Sequence, residues 1–162
     1  MEFVTCIISG MPTGIGAPVF DKLDANLAKA MVSIGAIKGI EIGDGFGVVT
    51  AKGSDNNDEF CVTDGKVSKK TNHAGGILGG ISDGSDIILR VAVKPTPSIA
   101  QTQATVNEVG QEVDINIHGR HDPVIVPRAV VVVEAMAALT ICDALMNHMT
   151  DRVDYIKEFY SK

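Results

Sequence analysis

Five consecutive residues, His118-Gly119-Arg120-His121-Asp122, set a permanent cation, two imidazoles and a carboxylate side by side, and Pro123 closes the run. Arginine presents a planar fork that matches phosphate or carboxylate, and histidine and aspartate exchange protons near neutrality. The chemistry these types suit is anion binding combined with movement of a proton. Two further segments carry similar potential. Lys94-Pro95-Thr96-Pro97-Ser98 puts an ammonium beside two hydroxyls, which suits an anion, although two prolines also make a rigid exit turn. The run Thr71 to Ser82 carries two glycine pairs, Gly75-Gly76 and Gly79-Gly80, which either let backbone approach a ligand closely or form a packed turn.

Hydrophobic periodicity places these segments on a scaffold. Phe3 to Ser9 reads as a strand ending at Gly10. From Phe20, the residues Leu23, Leu27, Ala30, Met31 and Ile34 recur at three- and four-residue steps and predict an amphipathic helix that Gly35 ends. Ile37 to Ile42 predicts a strand, Gly43-Asp44-Gly45 a turn, and Phe46 to Thr50 an antiparallel return. The polar stretch 52–70, with five consecutive Asp, Asn and Glu residues at 55–59, reads as a flexible surface loop. Ile87 to Val93 predicts a strand that delivers Lys94 to Ser98 at its end, and Val113 to Ile117 one that delivers the His-Arg-His-Asp cluster. Pro127 to about Met149 is read as one long helix in spite of the β-branched run Val130 to Val133, because proline is tolerated in a first turn. The segment from Asp151 is read as a short surface helix.

Composition bounds the function. The chain has 162 residues, about one domain's worth, with 45% hydrophobic and 21% charged residues, which is globular composition. A net charge of −6 and only 4% aromatic residues argue against a nucleic-acid surface. Cys6, Cys61 and Cys142 lie far apart in sequence, so neither a zinc knuckle nor a disulfide framework is indicated, and reduced thiols are expected. No apolar run is read as reaching membrane-spanning length, and a cytoplasmic location without membrane partners is expected. The glycine spacing fits neither a dinucleotide fingerprint nor a phosphate-binding loop of the Walker type. His118, His121 and Asp122 could offer two or three metal ligands, but no further histidine lies at a useful spacing, and no metal is expected.

The phrases Pro18 to Ala25, Lys38 to Phe46, Asn72 to Ser82, Lys94 to Ser98 and Gly119 to Pro123 occur in this order in chorismate synthases, and the chain resembles the C-terminal half of that family from about Val4 to Met149. The resemblance implies an α+β fold, part of a β-α-β sandwich in which antiparallel sheet packs on long central helices, with residues 1–162 forming one domain. It implies a lyase that uses reduced FMN to eliminate phosphate from 5-enolpyruvylshikimate 3-phosphate and give chorismate, the last common step toward aromatic amino acids in the shikimate pathway. A homotetramer is implied as well. Carried over residue by residue, it implies cofactor contacts at Gly35, Ala36, Gly79, Lys94, Pro95, Thr96, Pro97, Ser98 and Arg120. Asp122 becomes the carboxylate that manages the proton at the flavin's central-ring nitrogen, the alternative being a turn residue before Pro123. His73, His118 and His121 are read as structural. The family's N-terminal half, with its own histidines and arginine-rich loops, has no counterpart here, so the isolated chain is expected to be inactive. Val131 stands where the family often has proline, and Gly35 where bulkier side chains are common. The alternatives are a non-catalytic assembly or regulatory module that keeps the fold and, last, a phosphate-ester hydrolase using His121 and Asp122.

Overall fold

A computed structural model describes residues 2–120, 122 and 124–161. Its centre is a three-stranded antiparallel sheet in the order β1-β7-β2, formed by β1 (Phe3–Ile8), β7 (Ile87–Val93) and β2 (Ile37–Ile42). Two helices, α1 (Leu23–Val32) and α2 (Val126–His148), cover one face. This is an α+β arrangement with antiparallel pairing throughout, as expected.

The sheet shows why period two decides its orientation. In β7, Ile87, Leu89 and Val91 are fully buried and Val93 nearly so, while Arg90 between them is exposed. β7 is the middle strand and carries the most deeply buried face, with α1 lying against β2 and α2 against β1 on either side of it. Its partners pair Val4 with Val91 and Ile40 with Val91, so inward residues stack across the sheet. α1 buries Leu23, Leu27 and Met31 completely, one every four residues, and each contributes about 2 kcal/mol by leaving water. It starts three residues after Phe20, because Ala17 and Asp21 first exchange two backbone hydrogen bonds of 2.9 and 3.0 Å. α2 buries Val133, Ala137 and Ile141 on the same core. Burial of Val133 is why the β-branched run stays helical: tertiary packing overrides local preference.

Three expectations need correction, and one expected strand gains a partner. Phe46 to Thr50 is not a returning strand; Gly45–Thr50 form a short 3₁₀ helix, with the Gly47 N–H donating to the Asp44 carbonyl at 2.9 Å. The segment 52–70 is not all loop, because it holds the hairpin β3 (Phe60–Thr63) and β4 (Lys66–Lys69). β9 (Glu112–Asn116) has an unforeseen partner, β8 (Thr102–Val106), and the two form an exposed hairpin. α2 is, by length and composition, apolar enough to cross a membrane, with a mean hydropathy of 2.0, whereas no run of that kind was expected. Its inner stripe lies on the sheet, and its outer stripe leaves Val131, Leu139 and Met146 more than half exposed. The remaining elements are the two-residue strands β5 (Ile77–Leu78) and β6 (Ile81–Ser82) and the terminal helix α3 (Val153–Tyr160).

Candidate functional site

Chain direction sorts the expected site residues between the two ends of the sheet. β7 finishes at Val93 beside the start of β2, and the Lys94 N–H donates to the Ala36 carbonyl at 2.8 Å. The Lys94–Ser98 segment and the Gly35-Ala36 junction therefore meet directly. Ala36 adopts a left-handed φ of 70°, whereas Gly35 does not, so the strained residue is the one that carries a Cβ. Such strain costs about 1–2 kcal/mol and persists only where neighbouring structure holds it. Here the Lys94 hydrogen bond does so.

Two buried polar atoms at this end lack hydrogen-bond partners. The Thr96 hydroxyl is buried and has no hydrogen-bond partner, a condition that costs about 1–3 kcal/mol unless a ligand or further chain supplies one. A carboxylate oxygen of Glu2, just before β1, is buried and unpartnered as well, and the Glu2 carbonyl accepts the Val93 N–H at 3.0 Å. No ion pair of Lys94 or Arg120 occurs among the described residues, and both are exposed. A free ammonium and an unpaired hydroxyl on a proline-stiffened loop fit an anionic group, whereas the Glu2 carboxylate calls for a donor of its own.

Gly79 lies elsewhere. It sits in the tight turn between β5 and β6 at φ 60°, with nothing within 4 Å of where a Cβ would project. The adjacent Gly80 carbonyl accepts the Leu23 N–H at 2.8 Å, which puts this turn at the start of α1. Ala36 follows the end of the same ten-residue helix, so the two groups are separated by roughly 15 Å, the rise of α1. One ligand can touch both only if it is extended.

Asp122 precedes α2 and is gripped by Arg128. One guanidinium nitrogen of Arg128 donates to Oδ2 at 2.8 Å and the other to Oδ1 at 3.4 Å. Sequence reasoning missed Arg128. Its signal was present, because a cation in a first helical turn opposes the positive end of the helix dipole and needs a reason to be there. His121 and Pro123 lie outside the described residues. His118 is exposed, and His73 pairs through Nδ1 with Asp44 Oδ2 at 2.6 Å.

That His73–Asp44 contact belongs to a strap across the other end of the sheet. The Asp44 N–H donates to the His73 carbonyl at 2.9 Å, and a Cβ on Gly43 would come within 2.0 Å of that same oxygen. Glycine at 43, at φ 59°, is the only residue that lets the two loops close. Asp58, from the stretch read as a flexible surface loop, accepts the N–H groups of His73 at 2.8 Å and Ala74 at 2.9 Å and the Thr71 hydroxyl at 2.8 Å. Partial burial pushes the Asp58 carboxyl up, but these donors and the nearby Lys69 charge outweigh it and hold the pKa below the usual range. Lys69 in turn pairs with Asp83 at 2.5 Å, both side chains being more than nine-tenths buried. Burial raises the Asp83 pKa as well, and the Lys69 and Ser85 hydrogen bonds more than reverse it.

The structure thus defines an α+β protein with a sheet covered on one side and an anion-suited loop at the exit of its central strand. A family profile described as Chorismate synthase matches residues 2–146. The chorismate synthase of Agathobacter rectalis is 64% identical over 157 residues, which cover 97% of this chain and 43% of that protein. That of Lachnospira eligens is 62% identical, covering 98% of this chain and 43% of its own length. A solved structure, "Crystal Structure of Chorismate Synthase", superposes with a TM-score of 0.73 at 32% identity, covering 98% of this chain and 41% of that one. The chain belongs to the chorismate synthase family, and it spans less than half the length of these relatives.

Proposed function

We propose that this chain supplies the cofactor-facing C-terminal part of a chorismate synthase, an FMN-dependent lyase of the shikimate pathway that converts 5-enolpyruvylshikimate 3-phosphate to chorismate. The observation that carries this reading is the buried, unpartnered Thr96 hydroxyl beside the uncompensated Lys94, on a loop tied to Ala36. Lys94, Thr96 and Ser98, with Pro95 and Pro97 stiffening the backbone, would hold the FMN phosphate. Gly35 and Ala36 would border that end, and Gly79 would offer open backbone to the ring. The spacing of these groups along α1 suits a two-ended ligand with a phosphate at one end and a planar ring at the other. Arg120 would meet an anionic group through its fork.

Reduced FMN, when bound, would supply the electron density that eases loss of the allylic phosphate. The protein's own part is to orient both molecules, neutralise phosphate charge and hold a proton near the reacting centre. Asp122 would hold that proton. The remaining half of the site, with its histidines and further arginines, would come from the segment that precedes this one in longer relatives. The exposed apolar stripe of α2 supports that view, because Val131 and Leu139 are about two-thirds exposed on a helix otherwise made for a core. A homotetramer and a cytoplasmic location complete the proposal.

Flavin uptake tests it. FMN fluorescence should be quenched when this chain is mixed with a separately produced N-terminal half of a relative, and sedimentation should show the two associating. Failure to associate would favour a non-catalytic module.

A further inference from the structure

Asp122 follows a segment that belongs to no helix or strand. Residues 117–120 are exposed and outside helix and strand, and Gly119 takes a φ of 150°. A carboxylate that must hold a proton at one atom of a bound ring needs its plane fixed to within roughly 10–20° by a rigid neighbour. The neighbouring rigid element is α2. Its first turn is closed by the N–H groups of Arg128 and Ala129 donating to the Ile125 carbonyl at 3.0 and 3.1 Å. Ile125, Val126 and Ala129 pack against the core, and Val133 is fully buried one turn further on.

Arg128 bridges the two. Its fork reaches both oxygens of Asp122, at 2.8 and 3.4 Å, which restrains the carboxylate plane in a way that a point charge cannot. As a stabilising contact the pair would count for little, because the side chains are 74% and 35% exposed. A cation here also opposes the helix dipole, so helix stability does not explain it. Orientation of Asp122 does.

We propose that Arg128 is a positioning residue, fixing from the first turn of α2 the orientation in which Asp122 addresses the flavin; the inference rests on the flavin-site reading of Asp122 given above. Arg128 acts through Asp122 and need not touch the ligand.

The test uses Arg128→Ala, Arg128→Lys, Asp122→Asn and the Asp122→Asn/Arg128→Ala pair. In the 162-residue chain, backbone order parameters at Gly119, Arg120 and Asp122 should fall from about 0.8 to below about 0.6 in Arg128→Ala and Asp122→Asn, with no further loss in the double variant. Arg128→Lys should recover only part of the order, and the melting midpoint should hardly move. Unchanged order in Arg128→Ala overturns the inference. In the complex with the complementing half, Arg128→Ala should lower kcat roughly tenfold with KM unchanged and shift the pH midpoint of the bound reduced flavin's absorbance. Both effects should vanish in the Asp122→Asn background. An Arg128→Ala effect that survives there means that Arg128 meets the ligand itself, and overturns the inference. A silent Asp122→Asn, with the loss of order in Arg128→Ala intact, upholds the anchoring and refutes the flavin role of Asp122.

Discussion

Neutralising Asp83 should loosen the β3–β4 hairpin far more than removal of a surface charge would. The Lys69 ammonium lies 2.5 Å from Asp83 Oδ2, with side-chain exposures of 4% and 8%, and β4 ends at Lys69. With an effective dielectric constant near 20, a contact this short is worth about 7 kcal/mol of attraction, against which the burial of both charges already counts. Removing one partner of a buried pair costs about 3–5 kcal/mol, since the other charge stays behind unpaired. Asp83→Asn should fall at the low end, about 3 kcal/mol, because Asp58 still offers Lys69 a negative neighbour. Lys69→Met should cost about 4 kcal/mol, because it leaves two carboxylates without their cation. The double variant should cost only about 2 kcal/mol, well below the sum of the two. Urea titration gives the global cost, and amide exchange at Val62 and Val67, which pair across the hairpin, gives the local one. Single variants that each cost under about 1 kcal/mol, or a double variant equal to their sum, would refute the reasoning.

Three further outcomes follow from named contacts. Gly43→Ala should cost about 3 kcal/mol or more, because its Cβ would meet the His73 carbonyl at 2.0 Å, and a melting midpoint close to wild type would contradict the strap described here. Gly79→Ala, at a similar φ but in open space, should cost only about 1 kcal/mol yet weaken flavin uptake in the complemented protein; a large loss of stability or unchanged uptake would count against the placement of the turn. Asp58 and Asp83 both have folded pKa values below the unfolded ones, so their contribution is present above the unfolded carboxylate range near ~4 and is lost as pH falls through the lowered folded values. Acid unfolding followed by circular dichroism should therefore be delayed to lower pH in wild type relative to Asp58→Asn, and coincident curves would contradict this.

How much of this was legible in the sequence depended on where each side chain's partner lay. Alternation in Ile87 to Val93 and the four-residue steps of Leu23, Leu27 and Met31 report burial against a layer, so β7 and α1 were readable from local pattern. β3, β4 and β8 were missed for different reasons. The β3–β4 hairpin had a local signal, the Asp64-Gly65 pair at positive φ between Val62 and Val67, which the polar run at 55–59 obscured, whereas β8 is an exposed strand with no buried face to set a period. Val48 and Val49 argued for a strand, but Gly45 and Gly47 let the chain coil into a 3₁₀ turn that leaves both valines exposed. Within the candidate site, the anion-suited run Lys94 to Ser98 was readable from its residue types and the Ala36 junction came from family likeness, and the structure adds that they touch. The Asp122–Arg128 fork, the half-buried Asp58 hub and the unpaired Thr96 hydroxyl required three-dimensional proximity to be seen.

The central claim, that this chain is one part of a divided chorismate synthase site, is tested most directly by chorismate formation from 5-enolpyruvylshikimate 3-phosphate and reduced FMN under anaerobic conditions. The chain alone should give none, and turnover should appear when the N-terminal half of a relative is added. Turnover by the chain alone, or none from a mixture shown by sedimentation to have associated, would contradict the account.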